Sequence, residues 1–180
     1  SAVGDIIRVS KDLGWATLKT GAWYERQINW RSQWEEDDTL GGGPANYNTL
    51  YGPPVDRNMR DTLDTFQPYV EADIKPLPGL TLSPGLKYML FHRGTNSAVD
   101  QKTGLPLVYA KTYDAWAPSF DANYKINDHV AVYAQTAKGF LAPNMNVFYT
   151  KDPTQSTTLN PQTTWNYQAG VSYSSSRLTL

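Results

Sequence analysis

A chain of 180 residues with 40% hydrophobic content can bury one real core, and its net charge of −1, from 16 basic and 17 acidic residues, leaves no electrostatic footprint for nucleic acid. The absence of cysteine excludes disulfides and thiolate metal sites. The mean hydropathy of −0.52 looks soluble on average, but that average misleads for a β-barrel, which turns only alternate residues to lipid and never shows an apolar run of about 18 residues; no such run occurs here.

In chain order, Ser1, Ala2, Val3, Gly4 and Asp5 show no basic leader with an apolar core, so an export signal is expected outside these residues. A short run over residues 5–10 carries Ile6, Ile7 and Val9 and turns at residues 11–14. A longer run over 15–31 then alternates, with Ala16, Leu18, Thr20, Ala22, Tyr24, Ile28 and Trp30 on one face. Thr17, Lys19, Gly21, Trp23, Glu25, Gln27 and Asn29 occupy the other, and Arg26 is the exception on the apolar side. A period of two means strands.

Periodicity lapses over residues 32–61, a stretch with an acidic patch at 35–38 and glycines at 41–43, which reads as a long loop. Residues 65–92 form a hairpin. Phe66, Pro68, Val70, Ala72 and Ile74 oppose Gln67, Tyr69, Glu71, Asp73 and Lys75. After a tight turn at 75–79, Leu80, Leu82, Leu86, Tyr88 and Leu90 oppose Thr81, Ser83, Gly85, Lys87, Met89 and Phe91. A second long connection is expected over 93–109. Trp116, Pro118, Phe120, Ala122, Tyr124 and Ile126 then share a face against Ala117, Ser119, Asp121, Asn123 and Lys125, and residues 127–128 make the turn. The return strand, 129–138, leads into a third long loop over 139–162. Trp165, Tyr167, Ala169, Val171 and Tyr173 form a last alternating run, a turn falls at 174–176, and residues 177–180 open a further strand.

Tight turns thus alternate with long polar loops, which sorts all short connections to one end of the sheet and all long ones to the other. The expected fold is all-β: an antiparallel up-and-down transmembrane β-barrel of which about six full strands and two partial ones are present here. Short turns at 11–14, 75–79, 127–128 and 174–176 would be periplasmic, and the loops at 32–61, 93–109 and 139–162 extracellular. Residues 1–180 would then be part of a single barrel domain. A soluble β-sandwich shows alternation too, but its loops need not sort by length. No internal repeat supports a solenoid.

The string Ala137-Lys138-Gly139-Phe140-Leu141-Ala142-Pro143-Asn144-Met145-Asn146-Val147-Phe148-Tyr149 resembles a segment of TonB-dependent outer-membrane receptors in which an aromatic residue after glycine precedes Ala-Pro-Asn. Leu159-Asn160-Pro161-Gln162 resembles that family's Leu-x-Pro-Glu element, with Gln162 in place of glutamate. The family motif here is therefore Gly139, Phe140, Ala142, Pro143, Asn144, Pro161 and Gln162. Leu18-Lys19-Thr20-Gly21-Ala22-Trp23-Tyr24-Glu25 and the hairpin strands resemble its barrel strands. The resemblance implies the C-terminal barrel of a siderophore receptor-like protein of roughly 22 strands, without the plug that fills it. It also implies a bacterial outer-membrane location and TonB-energised import of a scarce solute, most often a ferric siderophore. The implied partners are the rest of the barrel and its plug, the TonB complex through that plug, a small-molecule metal chelate as substrate, and outer-membrane lipid, with no nucleic acid and no cofactor. An alternative is a secreted or periplasmic β-rich carbohydrate-binding module using exposed Trp and Tyr.

On this reading Glu25, Glu71, Asp73, Lys75, Lys87, Asp121 and Lys125 line the lumen. Candidate ligand contacts are Trp34, Tyr47, Tyr51, Phe140, Asn144, Asn146 and Tyr149, although for the string from Gly139 to Asn144 a purely structural role, with Phe140 packed on a neighbour, is the plainer alternative. The 6 Trp and 12 Tyr suit interfacial girdles or a sugar platform, and girdle is the plainer reading for most of the Trp residues. His92 and His129 fall near opposite strand ends, too far apart for a shared metal. No serine or cysteine has a base-and-orienter context, so no enzyme is expected. Gly41, Gly42 and Gly43 lack the lysine of a phosphate loop.

Overall fold

The computed structural model describes residues 1–34, 55–100, 103–144 and 160–174. Seven strands follow in order: β1 (Ala2–Asp12), β2 (Ala16–Trp34), β3 (Val55–Leu77), β4 (Leu80–Val99), β5 (Leu107–Lys125), β6 (Val130–Leu141) and β7 (Gln162–Tyr173). They form one sheet in sequence order, each strand antiparallel to the next. The result is an unclosed section of a larger barrel. The expected strand at 177–180 lies outside the described residues.

Register turns the separate alternations into two continuous faces. Leu18 pairs with Ala72, Thr20 with Val70 and Tyr24 with Phe66; Val70 pairs with Leu86, which pairs with Pro118. Ala122 pairs with Ala134, and Ala134 with Ala169. Every apolar set therefore falls on one side, and a slip of one residue in any strand would break it. In β1, Ile7 and Val9 join this face opposite Ala22 and Thr20, whereas Ile6 lies on the polar side opposite Trp23.

The apolar band has edges. Toward the long loops it ends at a row in which Arg26 pairs with Asp64, Asp64 with His92 and His92 with Thr112. His92 Nδ1 lies 2.9 Å from Thr112 Oγ1, and Arg26 Nε lies 3.6 Å from Asp64. Just inside that row Tyr88 and Trp116 meet at 4.9 Å between ring centroids. Trp165 sits one row nearer the tight turns, since Ala137 pairs with Ser119 and Lys138 with Trp165. The opposite edge shifts the same way: Tyr124 pairs with Val132, and Tyr173 with Val130 one row beyond. Strands tilted about 45° need this drift for an aromatic girdle to stay level with a membrane. From Leu80 to Leu90 the band spans ten steps of β4, or ~33 Å along the strand, and a tilt of that size reduces it to a height of about 25 Å.

The ladder outlasts the alternation. β2 runs to Trp34 and β3 begins at Val55, β4 continues to Val99 and β5 begins at Leu107, and β6 reaches Leu141. These spans enter stretches expected to be loop. Beyond the hydrocarbon a strand no longer needs an apolar face, so pairing persists where the sequence pattern fades. The tight turns are short and built by specific chemistry. Gly79 adopts φ +79 at the β3–β4 turn, a conformation that disfavours any side chain. Asn127 Oδ1 accepts from the His129 and Val130 N–H groups at 2.8 and 2.9 Å.

Leu86 lies mid-band between Val70 and Pro118, so Leu86→Arg should destabilise the complete barrel by ~2–4 kcal/mol. Denaturant unfolding in lipid vesicles checks this, with Asn123→Arg on the opposite face expected to cost clearly less.

Candidate functional site

The polar face is the side on which chemistry can occur. Register sets Lys19 opposite Glu71 and Thr17 opposite Asp73, and Lys19 Nζ reaches Glu71 at 3.0 Å and Asp73 at 2.6 Å. Ser83 Oγ donates to Asp73 at 2.8 Å from the next strand. These pairs are partly open, so each contributes at most about 1 kcal/mol; together they fix the wall's polarity. Beside them is a hollow of about 430 Å³ lined by Tyr69, Glu71, Lys87, Met89, Ser119 and Phe140 among others.

Nearer the loops the face closes over. Arg31 Nη2 lies 2.7 Å from Asp61, whose side chain is 3% exposed. Burial pushes the Asp61 carboxyl above the usual aspartate range, opposed by the Arg31 charge and a hydrogen bond from Thr95. Met59, Tyr113 and Ala142 form a buried cluster against which Leu63, Phe91, Tyr109 and Phe140 pack. The Phe91 and Phe140 rings stack at 5.6 Å. Arg93 donates to the Pro143 carbonyl.

That closure has a topological cause. β6 stays paired with β5 only as far as Ala137 opposite Ser119, then keeps β7 as partner through Leu141. Its freed end crosses the polar face over β3, β4 and β5. Strict alternation would set Phe140 outward with Thr136 and Lys138; instead it packs inside. Gly139 permits a close approach here, since a Cβ would sit 2.8 Å from Thr164 Oγ1.

Of the expected lumen residues, Glu71 and Asp73 meet through Lys19, and Lys87 lines the hollow beside Glu71. Glu25 accepts from Gln27, and Asp121 pairs across strands with Ser83 and Gln135. Lys75 and Lys125 lie at the turn end, where Lys125 Nζ reaches Asp128 at 3.0 Å. Among the expected ligand contacts, Trp34 ends β2 opposite Val55, Phe140 is packed inside, and Asn144 is exposed. Tyr47, Tyr51, Asn146 and Tyr149 lie outside the described residues. Within the motif, Ala142 is buried, and Gln162 opens β7 opposite Leu141 directly after Pro161. Lys19, Arg31, Asp61 and Arg93 were not among the expected wall residues. Lys19 stands in plain alternation opposite Glu71 and Arg31 closes the same alternating run, whereas Asp61 and Arg93 fall where alternation lapses. No group of three or more His, Cys, Asp or Glu placed to hold a metal occurs among the described residues.

A family model described as "TonB dependent receptor-like, beta-barrel" matches residues 4–180. Among solved structures, the chain is similar to the ferric citrate transporter FecA in its unliganded form, with TM-score 0.71 and 21% identity, covering 96% of this chain and 25% of that one. It is also similar to the siderophore receptor PiuA from Acinetobacter baumannii, with TM-score 0.66 and 13% identity, covering 96% of this chain and 30% of that one. At these identities the likeness is one of fold, and the chain spans less than a third of either structure.

Phe140→Ala in the complete barrel should lose about 1–3 kcal/mol of packing on Phe91 and the buried cluster. Hydrogen exchange should then rise across residues 139–144 while the β3–β4 ladder stays protected. Asp61 gives a pH signature. With its carboxyl raised in the folded state, the fold holds a proton that the unfolded chain has already lost. Its contribution is therefore most favourable in acid and declines as pH rises above the ordinary aspartate value of 3.8. The stability of the wild type relative to Asp61→Asn should fall between pH 4 and pH 7, read by denaturant titration at each pH.

Proposed function

The chain belongs to the TonB-dependent receptor-like β-barrel family of the bacterial outer membrane, and from that premise we propose that it forms part of the wall of an active importer. Its solute is a ferric siderophore or a related metal chelate. The observation that carries this reading is the two-sided sheet. One face is apolar between aromatic edges at about the height of a membrane, and the other is polar, with Lys19, Glu71, Asp73 and Ser83 joined across three strands. A wall of this kind suits passage of a hydrophilic solute around a movable plug, and it requires no covalent chemistry of the residues present.

The remaining assignments follow from the same orientation. The tight turns face the periplasm and the long connections face outward, where Trp34, Tyr47, Tyr51, Asn144, Asn146 and Tyr149 shape the ligand vestibule. Phe140 serves that vestibule by holding its floor, through the stack on Phe91. Glu25, Glu71, Asp73, Lys87 and Asp121 face the plug, which receives the energising pull of TonB. FecA is a ferric citrate transporter and PiuA a siderophore receptor, which favours iron as the cargo. The carbohydrate-module alternative draws no support, since Trp116 and Trp165 stand on the apolar face at its edges.

Deleting the gene should abolish growth on one ferric chelate under iron limitation, and complementation should restore uptake of radiolabelled iron only in a TonB-positive host. Undiminished uptake of every ferric chelate in the deletion strain, with loss of cobalamin or sugar uptake instead, would overturn the choice of cargo.

A further inference from the structure

Between Asp114 and Pro118, β5 is laddered on one side only. β4 pairs with it throughout this stretch, but β6 pairs with β5 only from Ser119 to Lys125, because the end of β6 leaves it after Ala137. The open edge lies within the apolar band, since Asp114 pairs with Leu90 and Pro118 with Leu86. A bare strand edge is costly in hydrocarbon, and irregular backbone is tolerated at that depth only where it is buried in protein or lines a cavity that admits water. The parted strands supply such a cavity. The hollow of about 430 Å³ on the polar face is lined in part by Ala117, Pro118 and Ser119 from β5 and by Lys138, Gly139 and Phe140 from β6.

The end of β6 matches the edge it has left. Continuing the register from Ser119 opposite Ala137 sets Pro118 opposite Lys138, Trp116 opposite Phe140 and Asp114 opposite Ala142. Phe140 then stands on the apolar face beside Trp116, in the row where Tyr88 and Trp116 already meet at 4.9 Å. One ring thus has two apolar seats, Phe91 on the polar face and Trp116 at the aromatic edge. The first seat covers Met59 and Tyr113 and brings the Pro143 carbonyl to Arg93, whereas the second completes the β5 ladder. Prolines bound the stretch that moves. Pro118, first beyond the paired part of β5, has no N–H to lose on parting, and Pro143, first beyond Ala142, has none to offer a longer ladder. β7 holds β6 through Leu141, so the two strands swing together as one ribbon.

We propose that residues 138–142 are a strap with two positions: seated on Phe91 it roofs the polar face, and zipped onto β5 it seals the wall and uncovers that face from Met59 to Tyr113. The occupant of the open β5 edge is therefore the chain's own β6, and the roof opens only as the wall closes. This rests on the barrel-wall reading and is independent of the cargo.

The test is disulfide trapping in outer membranes that hold the complete protein, with Ala142→Cys as the common probe. Combined with Met59→Cys it reports the roofed position. Combined with Asp114→Cys it reports the zipped one, in which directly opposed residues lie ~4.5–5.5 Å apart between Cα atoms, within disulfide reach. Under copper phenanthroline both pairs should close at least tenfold faster than Ala142→Cys with Ala110→Cys, which is four residues out of register on the same edge. Phe140 anchors both positions, but Phe91 anchors only the roof. Adding Phe91→Ala should therefore speed closure of the 114–142 pair at least threefold and slow the 59–142 pair. Heat-modifiable migration on gels verifies that each variant is a folded barrel. If the 59–142 pair closes in a folded barrel and the 114–142 pair does not, the strap is fixed and the proposal falls. It falls equally if the 114–142 pair alone closes, or if Phe91→Ala changes neither rate. A protein that never migrates as a heat-modifiable barrel overturns the wall reading instead.

Discussion

Everything in this sheet follows from one constraint: within hydrocarbon each backbone N–H and C=O must find a partner in the protein, because no water is there to take its place. Antiparallel pairing of sequential strands meets that demand with local connections, and it forces a period of two on every strand. The consequence is visible in register rather than in any single strand. Val70 is apolar because Thr20, Leu86 and, beyond it, Pro118 lie in the same row, and all of them face the same solvent. Where the demand is locally relaxed the sequence shows proline. Pro68 has no N–H, and the β3–β4 ladder skips Gln67 and Pro68 while Pro68 still faces Ala22 on β2.

The same register that sorts apolar residues outward brings charges together inward. Glu71 and Asp73 alternate on one strand and would repel each other across a bare wall. Lys19, delivered by β2, reaches both, and Ser83, delivered by β4, takes up more of the Asp73 acceptor capacity. Each contact is weak because the pairs are partly exposed. Their value lies in polarity and position: a wall whose charges are already answered within itself presents few strong unpaired sites on that face. Toward the long loops the balance changes. Asp61 is buried, so its pairing with Arg31 offsets a real desolvation cost and fixes the ends of β2 and β3 together.

The apolar band was legible in the sequence because lipid imposes a pattern on side chains. All six alternating runs between residues 15 and 173 emerge as strands with the expected faces, and the turns at Gly79 and at Asn127 announce themselves through residues that only turns require. What was hidden lies above the band. Asp61, Arg93 and Thr95 sit on paired strands with polar residues on both faces, and nothing in such a stretch distinguishes a ladder from a loop. The inward fold of Phe140 was hidden for a different reason. Alternation assigns it to the outer face, and only the loss of β5 as a partner after Ala137 reverses that assignment.

That reversal explains why a short string from Gly139 to Pro143 stands out in a chain otherwise built from repeating alternation. A strand that continued to pair with β5 would leave the polar face open from Met59 to Tyr113. By parting from β5, β6 sends an aromatic ring, a small residue and a free carbonyl over that opening in succession. Phe140 meets Phe91, Ala142 fits where a larger side chain would collide with Met59 and Tyr113, and the Pro143 carbonyl meets Arg93. Each residue type answers one requirement of the crossing. Glycine admits the close approach to Thr164, the ring supplies apolar area, alanine fits the depth, and proline stiffens the exit while offering an acceptor with no N–H to satisfy. The string is thus the place where the rule governing the barrel wall is suspended so that the wall can acquire a roof.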